Sequence, residues 1–151
     1  MRCTGLLARL AAAGQPVDRS GSGVLVEVYP AAALKHRGLT YRSDTGTADT
    51  AVQHRLVDRL TAAAPWLTFG DHEQACRHCD HALDAVIAPL NARAAALGLT
   101  TTPSAEQVSA ARTQGWIAQP TGILHDLIDH PVRPVDPHTP NQSSSRPGDR
   151  I

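Results

Sequence analysis

The run Val24-Leu25-Val26-Glu27-Val28-Tyr29-Pro30 decides how the rest of the chain is read. It is apolar and rich in β-branched residues at every position but Glu27, the pattern of a strand buried on both faces of a parallel or mixed sheet. Pro30 stops that strand and suits the first position of a short helix over 31–37, which Gly38 closes. Toward the amino terminus, residues 15–23 read as a loop. Before it, Leu6, Leu7 and Leu10 among alanines predict a helix over 6–13 that ends at Gly14.

Downstream, residues 39–50 are polar and turn-forming. Val52, Leu56, Val57 and Leu60 then recur at helical spacing, predicting a helix over 51–64 stopped by Pro65, with a short strand over 66–69. Asp71 with Gln74 resembles a capping box, and a single long helix is expected from there to Leu97, with Gly98 just past its end. Pro89 is its weak point, since an interior proline costs roughly 3 kcal/mol or kinks the helix. A shorter helix over 104–114 ends at Gly115, before a terminal strand at Trp116-Ile117. Residues 131–151 are rich in Pro, Ser, Asn and charge and read as a disordered tail. The expected organisation is one domain over 1–122 and a mostly disordered tail over 123–151.

Composition narrows the function classes. With 151 residues and 42% hydrophobic residues the chain supports one modest core. Lys plus Arg and Asp plus Glu are both 14, so no global field draws in nucleic acid or an anionic membrane, and any nucleic-acid contact is local. The apolar stretches are short and interrupted and Met1-Arg2-Cys3-Thr4-Gly5 opens no signal core, so a cytoplasmic protein without a membrane span is expected. Three cysteines is an odd number, and reduced thiols follow as the default. Aromatic residues are only 3%, so alanine-rich helices bury little area each and stability should be modest.

Three groups of residues could carry chemistry. Glu27 is an ionisable side chain in an apolar strand, costly to bury unless it is paired, binds a metal or reaches solvent at the strand end. Asp80 and Asp84 stand one turn apart along the border of the helical stripe Leu83, Ile87, Leu90, Ala94 and Leu97, with Asn91 on the same border. A divalent cation would relieve their repulsion; ordinary solvation on a helix edge is the alternative. Cys76-Arg77-His78-Cys79, with His72 and His81 nearby, has the spacing of one half of a zinc site or of a redox pair. A structural zinc site normally draws its second ligand pair from a distant segment, the remaining cysteine, Cys3, stands alone near the amino terminus, and both cysteines fall on the apolar stripe, so small buried hydrophobes are the plainer reading. No Gly-x-Ser-x-Gly elbow or phosphate-binding lysine loop is present, and the basic residues form no nucleic-acid stripe.

Taken in order, Glu27-Val28-Tyr29-Pro30-Ala31-Ala32, Asp80-His81-Ala82-Leu83-Asp84-Ala85 and the final Gly115-Trp116-Ile117 resemble domain of unknown function family 429, whose members are described as predicted RNase H-like nucleases. The likeness runs from 1 to about 121. It implies an α/β fold in which a mixed sheet is flanked by helices, and acids on the first strand, the fourth strand and the last helix bind divalent metal. By position Glu27 would be the fourth-strand acid, and Asp84 or Asp80 the helix acid, holding Mg²⁺ or Mn²⁺ for phosphodiester hydrolysis of nucleic acid. Only one helix precedes the Glu27 strand, so the resemblance also implies a partial RNase H-like fold, a small sheet without its first three strands and their essential aspartate. Such a chain would be a weak or inactive metal-dependent nuclease scaffold, or a non-catalytic interaction remnant that exposes a sheet edge. Either form favours an oligomer or a complementing chain.

Overall fold

The computed structural model describes residues 2–39 and 50–129. Among these residues seven helices follow one another: α1 Arg2–Ala12, α2 Pro30–His36, α3 Thr50–Ala63, α4 Glu73–His78, α5 Asp80–Ala96, α6 Val108–Gln114 and α7 Asp126–Asp129, with a 3-10 turn at Gly70–His72 ahead of α4. The expected turn over 39–50 lies, apart from its two ends, outside the described residues, as does the expected tail over 131–151.

Several helix ends follow directly from sequence. Pro30 occupies the first turn of α2, and Gly14, Gly38 and Gly98 close α1, α2 and α5 with positive φ. At α5 the Leu99 N–H donates to the Ala94 carbonyl at 2.8 Å and the Gly98 N–H to Ala95 at 2.9 Å. This paired closure satisfies carbonyls that the helix end would otherwise leave without donors.

α5 organises the core, packing against α4, α2 and α7, while α4 also packs on α3. Leu83, Ile87, Leu90 and Ala94 form its buried stripe. They meet Ala33 and Leu34 of α2, Val57 and Leu60 of α3, Cys76 of α4, and Leu127 of α7. Each buried Leu or Ile contributes roughly 1.5–3 kcal/mol relative to exposure. Leu124 and Leu127 belong to this core, so it continues beyond residue 122.

The expected sheet is not present among the described residues. In place of strands there are two isolated bridges, Glu27 with Ile117 in parallel and Thr100 with Pro120 in antiparallel sense. The fold is therefore mostly helical, and the small sheet flanked by helices, with its partial RNase H-like topology, is overturned. The reason lies in the partners. The short stretch after Gly115 turns between two loops: Trp116 N–H donates to Arg19 O at 2.8 Å and Ala118 N–H to Glu27 O at 3.0 Å, whereas Thr101 and Thr121 N–H pair along the 99–101 side. Pro120 has no N–H with which to extend a ladder. Within 24–29 only Glu27 is bridged and Tyr29 is extended, at φ −116° and ψ 97°, while Val24 lies in a bend; none of the six is fully buried, and Val24 and Tyr29 are exposed. The 66–69 segment is likewise not a strand.

The long helix expected from Asp71 to Leu97 is broken, though not at Pro89. α5 runs through Pro89, and the interruption falls at Cys79, whose backbone is extended at φ −137° and ψ 115°. His72, not Asp71, occupies the position ahead of α4, and no side chain caps it.

Candidate functional site

Glu27 lies where the extended run touches the Ile117 segment. Its carboxylate accepts a hydrogen bond from Arg19 Nε and forms an ion pair with that guanidinium. The pairing pushes the Arg19 pKa up, the hydrogen bond first and the charge second. Gly115 allows this approach. Its φ is +87°, and a Cβ there would lie 2.6 Å from Glu27 Oε2 and 2.9 Å from Arg19 Nη2. The loop bringing Arg19 into place is pinned by Asp18, whose carboxylate accepts from Ser20 N–H at 2.8 Å and Ser22 Oγ–H at 3.1 Å. The Ser20 hydroxyl first, then the Ser20 N–H and Ser22, hold the Asp18 carboxyl below its ordinary range. On the far side, Trp116 Nε1–H donates to the Thr101 carbonyl at 2.9 Å.

The two aspartates of α5 have different surroundings. Asp80 is exposed, and its Oδ1 accepts from the His81 N–H at 2.8 Å. Asp84 is half-buried; burial chiefly, and then the Asp80 charge, push its carboxyl up, with His81 acting in the opposite sense. Asn91, expected beside them on the stripe border, is fully buried. Thus Glu27 answers to Arg19, while Asp84 answers to its own helix. Among the described residues no three His, Cys, Asp or Glu side chains gather to hold a metal ion. As placed, Glu27, Asp80 and Asp84 do not fit a shared Mg²⁺ or Mn²⁺, which needs several oxygen ligands converging on one point.

The break at Cys79 also splits the two cysteines: Cys76 is buried and Cys79 exposed, so only Cys76 is the small core residue expected of both. His54 and His78 meet edge to face with ring centroids 4.9 Å apart.

Sequence reading did not single out the arginines that organise these surfaces. Arg77 donates to Asp58 Oδ1 at 2.7 Å, to Glu73 Oε1 at 2.9 Å and to the His54 carbonyl at 3.2 Å, joining α3 to α4. A cavity of about 430 Å³ opens beside it, lined by Asp58, Thr61, Phe69 and Glu73 among others. The Glu73–Arg77 spacing of four was the one available signal for that contact. Arg19 and Arg37 find partners only through tertiary packing.

These features define a small helical domain with a one-residue bridge between two extended segments and a charge-paired glutamate at that bridge. Residues 1–108 match the family model described as Protein of unknown function (DUF429), and the chain belongs to that family. Neither the curated proteins nor the solved structures contain a match. No helix among the described residues is long and apolar enough to cross a membrane.

Proposed function

We propose that this chain is a non-catalytic interaction module that associates with a second copy of itself along residues 24–29. The observation carrying this reading is the state of that segment. Apart from Glu27 it is apolar, it forms no regular strand and is bridged at Glu27 alone among the described residues, Tyr29 is extended at its end, and Val24 and Tyr29 are 54% and 56% exposed. Unpaired backbone donors and acceptors beside exposed apolar side chains form a template for strand addition. Charge does not oppose a like partner. The formal net charge is zero, and the only acid in the run is neutralised by Arg19 within its own chain.

The test is molar-mass measurement in solution by size-exclusion chromatography with light scattering, across a concentration series. Dimers expected for the natural chain should give way to monomers in Val26→Pro, which removes one donor from the edge while leaving the helical core intact. A natural chain that stays monomeric throughout overturns the reading. The rival is a metal-dependent phosphodiester hydrolase acting on nucleic acid with Glu27, Asp80 and Asp84 as ligands. It predicts saturable Mn²⁺ binding and nuclease activity lost in Glu27→Gln and Asp84→Asn. The interaction reading predicts neither.

A further inference from the structure

Cys76 and Cys79 share a Cys-x-x-Cys spacing, yet the junction of α4 and α5 puts them in opposite environments, one buried in the helical core and one exposed. The backbone from Cys76 to His78 is helical, and the Cys79 N–H still donates to the Ala75 carbonyl at 2.9 Å. Helical geometry up to that bond separates the two Cα atoms by about 5 Å, within the roughly 4.4–6.8 Å that disulfides span. Beyond it Cys79 turns extended, and its exposed thiol makes no capping hydrogen bond to α5. The two thiols also feel each other: burial first, and Cys79 second, push the Cys76 thiol up.

We propose that Cys76 and Cys79 form a redox modification site, in which exposed Cys79 reacts first with a hydroperoxide and buried Cys76 resolves the product. The Cys79 sulfur attacks the terminal peroxide oxygen, the O–O bond breaks, and the proton from the thiol leaves with the alcohol, or with water when the oxidant is hydrogen peroxide. Cys79 is then a sulfenic acid. The Cys76 sulfur attacks the Cys79 sulfur, the S–O bond breaks, and oxygen departs as water carrying the Cys76 proton. One disulfide has formed, two thiols are oxidised, and the peroxide has taken up two electrons. The bond closes across the α4–α5 junction, where the helix is already interrupted, and a dithiol reverses it.

Arg77 makes the test direct, because tryptic cleavage after it places the two cysteines in separate peptides that only a disulfide can hold together. The full chain, in a Cys3→Ser background, is exposed to equimolar hydrogen peroxide, alkylated, digested without reductant and mapped by mass spectrometry. The expected result is a Cys76–Cys79 linked peptide pair released by dithiothreitol and absent in Cys79→Ser. In Cys76→Ala, the Cys79 sulfenic acid should persist and be trapped by dimedone. Should that core variant fail to fold, the exposed-site variant decides alone. Two freely alkylated thiols, overoxidation of Cys79 without the link, or stoichiometric zinc that shields both thiols would each overturn the proposal.

Discussion

The Arg37 guanidinium, at the carboxyl-terminal cap of α2, donates from Nη1 to Oδ1 of the fully buried Asn91 on α5 at 2.7 Å. Fifty-four residues of sequence separate them, and the bond ties the short helix to the helix that organises the core. Burial pushes the Arg37 pKa down, and both Arg37 Nε and Asn91 Nδ2 lack partners, so the contact is only partly satisfied. Asn91→Ala should destabilise the chain by about 2–3 kcal/mol, because it leaves a half-buried guanidinium unpaired beside a new cavity. The double variant Arg37→Met with Asn91→Leu should be closer to the natural chain than Asn91→Ala, since no buried polar group is stranded. Urea midpoints at constant slope measure the order; a double variant weaker than the single one would contradict it.

Gly115 admits the Glu27–Arg19 pair to the bridge. Gly115→Ala combines an unfavourable positive φ with a direct collision, and should cost about 2–3 kcal/mol. Gly98→Ala offers the control. Gly98 also has positive φ, but nothing lies within 4 Å of an added Cβ, so only the backbone cost of about 1–2 kcal/mol should appear. Equal losses in thermal unfolding would show that the Glu27 contact contributes nothing to the difference.

Two aspartates should bend the stability–pH curve in opposite directions. Asp18 is held below its ordinary 3.8, so its contribution is present above that value and is lost as pH falls through the lower folded-state value. Asp84 is held above 3.8, so it costs nothing in strong acid, and its penalty grows as pH rises from 3.8 through the raised folded-state value. Asp84→Asn should therefore stabilise the chain at neutral pH and lose that advantage in acid, while Asp18→Asn should be destabilising at neutral pH and near-neutral in acid. Urea titrations from pH 3 to 7 give both curves. A neutral-pH loss of stability in Asp84→Asn would sink the assignment.

Pro89 sits in the interior of α5 with its ring exposed, so it withholds a backbone donor without burying apolar surface in return. Pro89→Ala should raise stability by about 1–3 kcal/mol and raise the unfolding temperature. A lowered temperature in calorimetry would mean that the proline shapes α5 for packing against α2 or α7.

The helical part of this protein was legible because its signals are local. Pro30, Gly38 and Gly98 mark helix ends through their own backbone preferences, and the Leu83, Ile87, Leu90, Ala94 spacing places one face of α5 in the core whatever covers it. The extended run over 24–29 was legible only as a preference. Whether such a run becomes a strand depends on donors and acceptors supplied from elsewhere, and here the segment after Gly115 meets it at Glu27 and then turns to pair with 99–101. The charged residues were the least readable. Glu27 looked like a metal ligand because its burial needed compensation, and the fold supplied that compensation from Arg19 through a loop whose closure no periodicity announces. Cys79 left the apolar stripe because a helix wheel assumes continuous helix, whereas the helix is interrupted at that residue, with α4 packed on α3 and α5 on α2. Sequence alone determined α1, α2, α3 and the apolar face of α5, which follow from one residue and its near neighbours, but neither the break at Cys79 nor the short helix α7. Tertiary structure alone decided the strand pairing, the partner of each buried charge and the exposure of each thiol, because each depends on groups that only folding brings together.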